Sequence, residues 1–141
     1  MEKKLENVKY PQEIDRSVHK HTDLTSRIIR CAMNVHNELG NGFPERIYQR
    51  ALAIELADAG IPFEREHETQ VYYKGHLIGT QRVDFLAHGS VCVELKAVVA
   101  MEPGHLAQAI NHLEAYKLEV GLLINFGARS LQFKRLTNKK I

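Results

Sequence analysis

The sequence contains no tryptophan, and only two cysteines and four prolines among 141 residues. No apolar run approaches the ~20 residues a membrane-spanning helix requires. The opening MEKKLENVKY carries no apolar segment of the kind a secretion signal needs, so a cytoplasmic protein with no membrane partner is expected. Cys31 and Cys92 both fall in apolar periodic stretches with no further pair to build a disulfide framework, and reduced core thiols are expected. Internal repeats and low-complexity segments are also missing. Acid is absent from one end: residues 127–141 hold five Lys/Arg and no Asp/Glu, whereas residues 1–22 carry a net +1 and residues 23–126 a net −4. An acidic body with a basic end is compatible with a cation site beside a phosphate-contacting edge, although solvated surface charge gives the same numbers more often.

What is present reads as one ordinary domain, 44% hydrophobic and 26% charged. Residues 1–22 are polar without a sustained period and are expected to form an N-terminal arm. The remaining residues, 23–141, form the single domain. Leu24, Ile28, Cys31, Ala32, Val35 and Leu39 recur at spacings of three and four, which predicts an amphipathic helix stopped by Gly40. A second helix is predicted from Pro44 to Asp58. The period then shifts towards two, predicting strands over 63–73 and 76–79 around Lys74-Gly75, and over 80–87 and 91–99 around His88-Gly89-Ser90. Pro103 opens a third helix to about Leu118, and strands over 120–126 and 130–136 follow. The order α-α-β-β-β-α-β-β predicts an α/β (α+β) fold, a mixed sheet flanked by helices.

Within the apolar strand VCVELKAVV stand Glu94 and Lys96, and a buried ionised group is costly unless paired or bound to a metal. Alternate strand residues share a face, so the two project together roughly 6.5 Å apart. A three-residue hairpin loop at 88–90 would pair residues whose numbers sum to 178, setting Asp84 opposite Glu94 and Arg82 opposite Lys96. A two-residue loop would turn Asp84 to the other face. Facing carboxylates repel by about 4 kcal/mol at 4 Å with an effective dielectric near 20. Lys96 and Arg82 could offset that as salt-bridge partners, and a hard divalent cation could do so more strongly. Glu45 heads the inward stripe of the second helix with Tyr48, Gln49, Leu52 and Leu56, a position the helix dipole alone would also favour. Tyr48 is expected to pack under Glu45, with its hydroxyl near that carboxylate. Eight histidines are scattered; His19/His21 and His105/His112 make no zinc set and are expected at the surface or in caps.

Gly42-Phe43-Pro44-Glu45-Arg46-Ile47-Tyr48 reads as G-x-x-E-x-x-Y. With Asp84, Glu94-Leu95-Lys96, Gln108 and the run Gly121-Leu-Leu-Ile-Asn-Phe-Gly127, the chain from residue 24 to 136 resembles the GxxExxY family of the PD-(D/E)XK nuclease superfamily. Val83 stands where that signature has proline. The resemblance implies a restriction-endonuclease-like core and a Mg²⁺- or Mn²⁺-dependent nuclease, an endonuclease acting on DNA. Asp84, Glu94 and the backbone carbonyl of Leu95 would hold the ion. Glu45 would complete its shell, Lys96 would orient or deprotonate the attacking water, and Gln108 would contact the water or the scissile phosphate. Lys134, Arg135, Lys139 and Lys140 are candidate phosphate contacts, with solvated terminal charge the competing account. A small nuclease often needs a second subunit to grip a duplex, so a homodimer is a further expectation. Two other readings stand beside the nuclease. One is a non-cutting nucleic-acid-binding or regulatory protein, for which a net charge of only +2 and few exposed aromatics argue against tight binding without a partner. The other is a buried salt-bridge network with no ligand.

Overall fold

A computed structural model describes residues 21–141. The arm expected over residues 1–22 therefore lies almost wholly outside the described residues, and Thr22 already belongs to the first helix. Helix α1 (Thr22–Leu39) buries Ile28, Cys31, Ala32 and Val35 along the predicted stripe. It ends where Gly40, at φ 75°, donates its N–H to the His36 carbonyl, a conformation that a side chain would strain. Helix α2 (Glu45–Asp58) follows with Pro44 as its extended N-cap, and it buries Tyr48, Gln49, Leu52 and Leu56.

Five strands form one sheet in spatial order β1-β2-β3-β4-β5: β1 (Phe63–Tyr73), β2 (His76–Ala87), β3 (Val91–Lys96), β4 (Val120–Asn125) and β5 (Gln132–Thr137). The stretches expected as separate strands at 76–79 and 80–87 are one continuous strand. Pairing is antiparallel except between β3 and β4, and helix α3 (Pro103–Tyr116) makes the crossover between those two. All six residues of β4 are buried, as expected of a central strand covered on both faces.

The two faces carry separate cores. Ile28, Leu52, Leu56, Val93, Leu95 and Phe126 belong to the α1–α2 side. Val83, Cys92, Ala109, Leu113, Leu123 and Leu136 belong to the α3 side. Strand β3 thus alternates between the layers, and its end near Lys96 opens towards both α2 and α3. The strand expected to reach residue 99 stops at Lys96, because the Asn125 side chain takes over the Val98 backbone: Val98 N–H donates to Asn125 Oδ1 and Asn125 Nδ2 donates to Val98 O, each at 2.9 Å.

Cys31 and Cys92 are free and buried, as the sequence suggested. Burial pushes the Cys31 thiol up, and burial with the nearby Glu94 pushes Cys92 up to about 12. Only the thiolate reacts quickly. At pH 8 without denaturant, an aromatic disulfide reagent is expected to titrate neither thiol over minutes, and in 6 M guanidinium to titrate both. Fast modification of either thiol in the folded protein would contradict this core.

Candidate active site

The site forms where β2 parts from β3. The ladder between them pairs Ala87↔Val91, Leu86↔Cys92 and Phe85↔Val93, so the residue numbers sum to 178 as a three-residue loop requires. Beyond Phe85 the backbone pairing stops and a side chain substitutes for it. Asp84 Oδ2 accepts the Leu95 N–H at 2.7 Å, and its Oδ1 accepts from Gln49 Nε2 at 2.7 Å. The regular alternation of β2 breaks at the same point: Phe85 packs on the α1–α2 side and Val83 on the α3 side, although a plain strand would put them together. Opposite, on β1, Glu66 adopts φ 54° and falls between the paired residues Arg65↔Phe85 and His67↔Val83. Asp84 therefore sits in a kink, reaching α2 with one oxygen and the β3 backbone with the other.

Three acids lie within electrostatic reach of one ammonium group. Glu94 lies on the α3 side, where both its carboxylate oxygens are 2.8 Å from Nδ1 of His112 and both side chains are 13% exposed. Burial, Asp84 and Glu45 push Glu94 up to about 8, against the opposing pull of Lys96. Burial lowers His112, Lys96 lowers it further, and Asp84 acts the other way. Burial thus opposes charge on both partners of this contact. Asp84 is raised by burial despite its bonds to Leu95 and Gln49 and the nearness of Lys96, with Glu66 adding to the rise. Glu45 is raised by partial burial of its carboxyl and by Asp84, while Lys96 opposes. Because Glu45 as a whole is exposed, water weakens its share of the coupling.

Behind Lys96 the backbone is held firmly. Phe126 N–H donates to the Lys96 carbonyl at 2.8 Å. Asn125, fully buried, also accepts from Gly127 N–H at 3.0 Å and donates to Gln132 Oε1 at 2.9 Å. A Cβ on Gly127 would lie 2.4 Å from Val98 N and 2.5 Å from Ala97 C, so residue 127 has room only for hydrogen. The Tyr48 ring stacks on Phe126 at 4.7 Å. Its hydroxyl donates to Gly40 O at 2.6 Å and accepts from Phe43 N–H at 3.1 Å. The expected contact with Glu45 is not made; the hydroxyl staples the turn that leads into α2.

The structure thus gathers Glu45, Asp84, Glu94 and Lys96, with Leu95 between the last two and tied to Asp84 through its N–H. Gln108 is exposed on α3, one helical turn before His112, and makes no hydrogen bond to these residues. Arg82 does not serve the cluster: it pairs with Glu68 at 3.1 Å. Lys134 aligns with Glu94 across the sheet through Leu123, roughly 9.6 Å away at two strand spacings. Arg135 is partly buried, Lys139 is exposed, and Lys140 pairs with Glu114 at 3.4 Å. Two residues at the site escaped the sequence reading. His112 was expected at the surface or in a cap, a role that His105 does fill by accepting the Glu102 N–H. Gln49 was read only as part of the helical stripe, yet it stands four residues after Glu45, one turn down the same face, which is the signal that could have singled it out.

Hard oxygen donors with a net charge of −2 match a divalent cation in kind. As the side chains stand, no three His, Cys, Asp or Glu among the described residues are gathered closely enough to ligate one, because Asp84 and Glu94 spend their oxygens on Leu95, Gln49 and His112. Clustering such acids costs stability. A carboxyl whose folded value is raised binds its proton more tightly when folded, so its contribution is fully present below about pH 4.5 and is lost as pH rises through about 8. In EDTA at pH 9, Glu94→Gln is therefore expected to be more stable than the wild type by on the order of 1–3 kcal/mol, with the gap closing near pH 5, as read by urea unfolding. Gly127→Ala is expected to cost roughly 2 kcal/mol or more; an unchanged urea midpoint would show that the 97–98 backbone does not press on it.

A crystal structure described as that of SSO0001 superposes on 97% of this chain and 73% of its own with a TM-score of 0.53 at 16% identity, a likeness of fold. No curated protein sequence matches the chain. The family model of the PD-(D/E)XK nuclease superfamily matches residues 22–136, from the first residue of α1 into β5, and on that match the chain belongs to this superfamily.

Proposed function

We propose that the protein is a metal-dependent nuclease of the GxxExxY type that hydrolyses phosphodiester bonds in DNA. The observation that carries the reading is the convergence of Glu45, Asp84 and Glu94 on Lys96, with all three carboxyls pushed upward. A fold has no structural reason to assemble acids at such cost, and a cation would remove that cost. Asp84, Glu94 and the Leu95 carbonyl would hold Mg²⁺ or Mn²⁺, with Glu45 completing the shell directly or through water. When bound, the ion would polarise the phosphodiester and ease deprotonation of water.

The chain's own residues supply the rest. Lys96, on a backbone fixed by Phe126 and Asn125, orients or deprotonates the attacking water. Gln49 holds Asp84 from the α2 side, and His112 holds Glu94 from the α3 side. The exposure of Gln108 suits contact with the scissile phosphate. Lys134 lies in line with Glu94 and can take an adjacent phosphate, whereas Lys140 would first have to leave Glu114. The second reading, a non-cutting nucleic-acid-binding or regulatory protein, is favoured by one observation: the oxygens of Asp84 and Glu94 are already engaged by Leu95, Gln49 and His112.

Incubation with single-stranded, duplex and branched DNA in Mg²⁺ or Mn²⁺ is expected to yield cleavage that falls roughly 100-fold or more in Asp84→Ala and in Lys96→Ala. Undiminished cleavage by either variant would defeat the assignment. Millimolar Mn²⁺ is expected to raise the wild-type melting temperature by mass action and to leave that of Asp84→Ala unchanged. A wild type that neither cuts nor gains stability from the ion would leave the second reading in its place.

A further inference from the structure

Strands β1 and β2 continue to an exposed tip. Every residue from 72 to 80 is exposed. The tip closes on Lys74 and Gly75, both at positive φ (48° and 81°), the tight two-residue turn that suits the twist of a hairpin. Around it stand Tyr72, Tyr73, Leu77 and Ile78, each 54–63% exposed. Tyr72 pairs with Leu77 and Tyr73 with His76, so the two rings occupy opposite faces of the hairpin. Lys74 Nζ lies 5.5 Å over the Tyr73 ring. From Thr69 to Val83 there is no acid, whereas Lys74, His76 and Arg82 fall in this stretch of an otherwise acidic body. Large apolar side chains left in water on a short, stiff hairpin mark a contact surface.

We propose that this tip binds unpaired bases of a nucleic-acid strand, with Tyr72 and Tyr73 as stacking platforms and Lys74 meeting the backbone phosphates. The inference rests on the nucleic-acid reading of the site and names the form of substrate: a single strand, or the open strand at a junction. Chemistry and size select this occupant. Flat aromatic faces beside Lys74, on a turn whose own residues carry no carboxylate, suit stacked bases. A second copy of the chain suits the tip less well. At about 200 Å² per large side chain, four that are a little over half exposed offer on the order of 450 Å², short of about 800 Å² per partner in a stable dimer. The tip is also joined to the site, because β2 runs eight residues from His76 to Asp84, about 26 Å of strand. The two most exposed aromatics of the described residues, Tyr72 and Tyr73, thus stand together at this tip.

The test measures binding in EDTA, where cleavage cannot interfere. Titration of a fluorescein-labelled twenty-residue oligo-dT with the full chain is expected to raise its anisotropy saturably, a readout that survives replacement of the tyrosines. Tyr72→Ala/Tyr73→Ala is expected to raise Kd at least tenfold with the melting temperature within a few degrees of wild type, and Tyr72→Phe/Tyr73→Phe to bind as the wild type does. An unchanged Kd in the alanine variant, or a blunt duplex bound as tightly as oligo-dT, would overturn the proposal. So would a wild-type dimer that the alanine variant converts to monomer with its affinity for DNA intact, which would assign the tip to a second copy. Failure of the nuclease reading is separable: binding that depends on both rings, without Mg²⁺- or Mn²⁺-dependent cleavage, keeps the tip and removes the hydrolase.

Discussion

The arrangement of the site depends on one carboxylate standing in for a missing stretch of sheet. Where β2 leaves β3, the Leu95 N–H would be an unpaired donor in a buried position, a costly state. Asp84 accepts that donor and with its other oxygen accepts from Gln49. The same bond therefore holds the strand ends together and fixes an acid between the two helical layers. The kink that frees Asp84 to do this is visible on both strands, as the change of side between Val83 and Phe85 and as the left-handed backbone of Glu66.

From that bond the layout of the domain follows. Strand β3 feeds alternate side chains into two cores, so its last residues can meet α2 on one side and α3 on the other. Glu94 takes the α3 side and finds His112; Glu45 comes from the first turn of α2. The acids gather at a place where burial and mutual repulsion both oppose their ionisation. The fold carries that unfavourable electrostatics on the stability of two well-packed apolar layers, a common relation between scaffold and site.

Much of this was legible in the sequence because periodicity reports burial directly. The stripe from Leu24 to Leu39, the apolar run of β4 and the His88-Gly89-Ser90 loop gave the element order and the register of the central hairpin. Glu94 and Lys96 stood out for a related reason: charges inside the apolar strand VCVELK contradict their surroundings. What stayed hidden depends on contacts between residues far apart in the chain. Nothing local distinguishes His112 from His105, since one reaches from the helix to Glu94 on β3 and the other caps its own helix. Gln49 looks like any polar residue on a half-buried face until Asp84 is placed beside it. The end of β3 at Lys96 was also illegible, since Asn125, 27 residues away from Val98, diverts the backbone there. Tyr48 was placed correctly in the core but given the wrong hydroxyl partner, because the Gly40–Phe43 turn folds back over it.

Two kinds of support surround the cluster. Lys96 is anchored through its own backbone to β4, whose every residue is buried, and the chain beyond it is threaded past Gly127 with no space to spare. Glu45 and Asp84 hang instead from a helix tip, an amide side chain and a kinked strand. Lys96 and Glu94 thus share the central strand, whereas Glu45 and Asp84 reach the cluster from its rim. Any rearrangement that completes the pocket therefore brings Glu45 and Asp84 towards Lys96 and Glu94, and the helix tip bearing Glu45, rather than the central strand, sets how far that rim can travel.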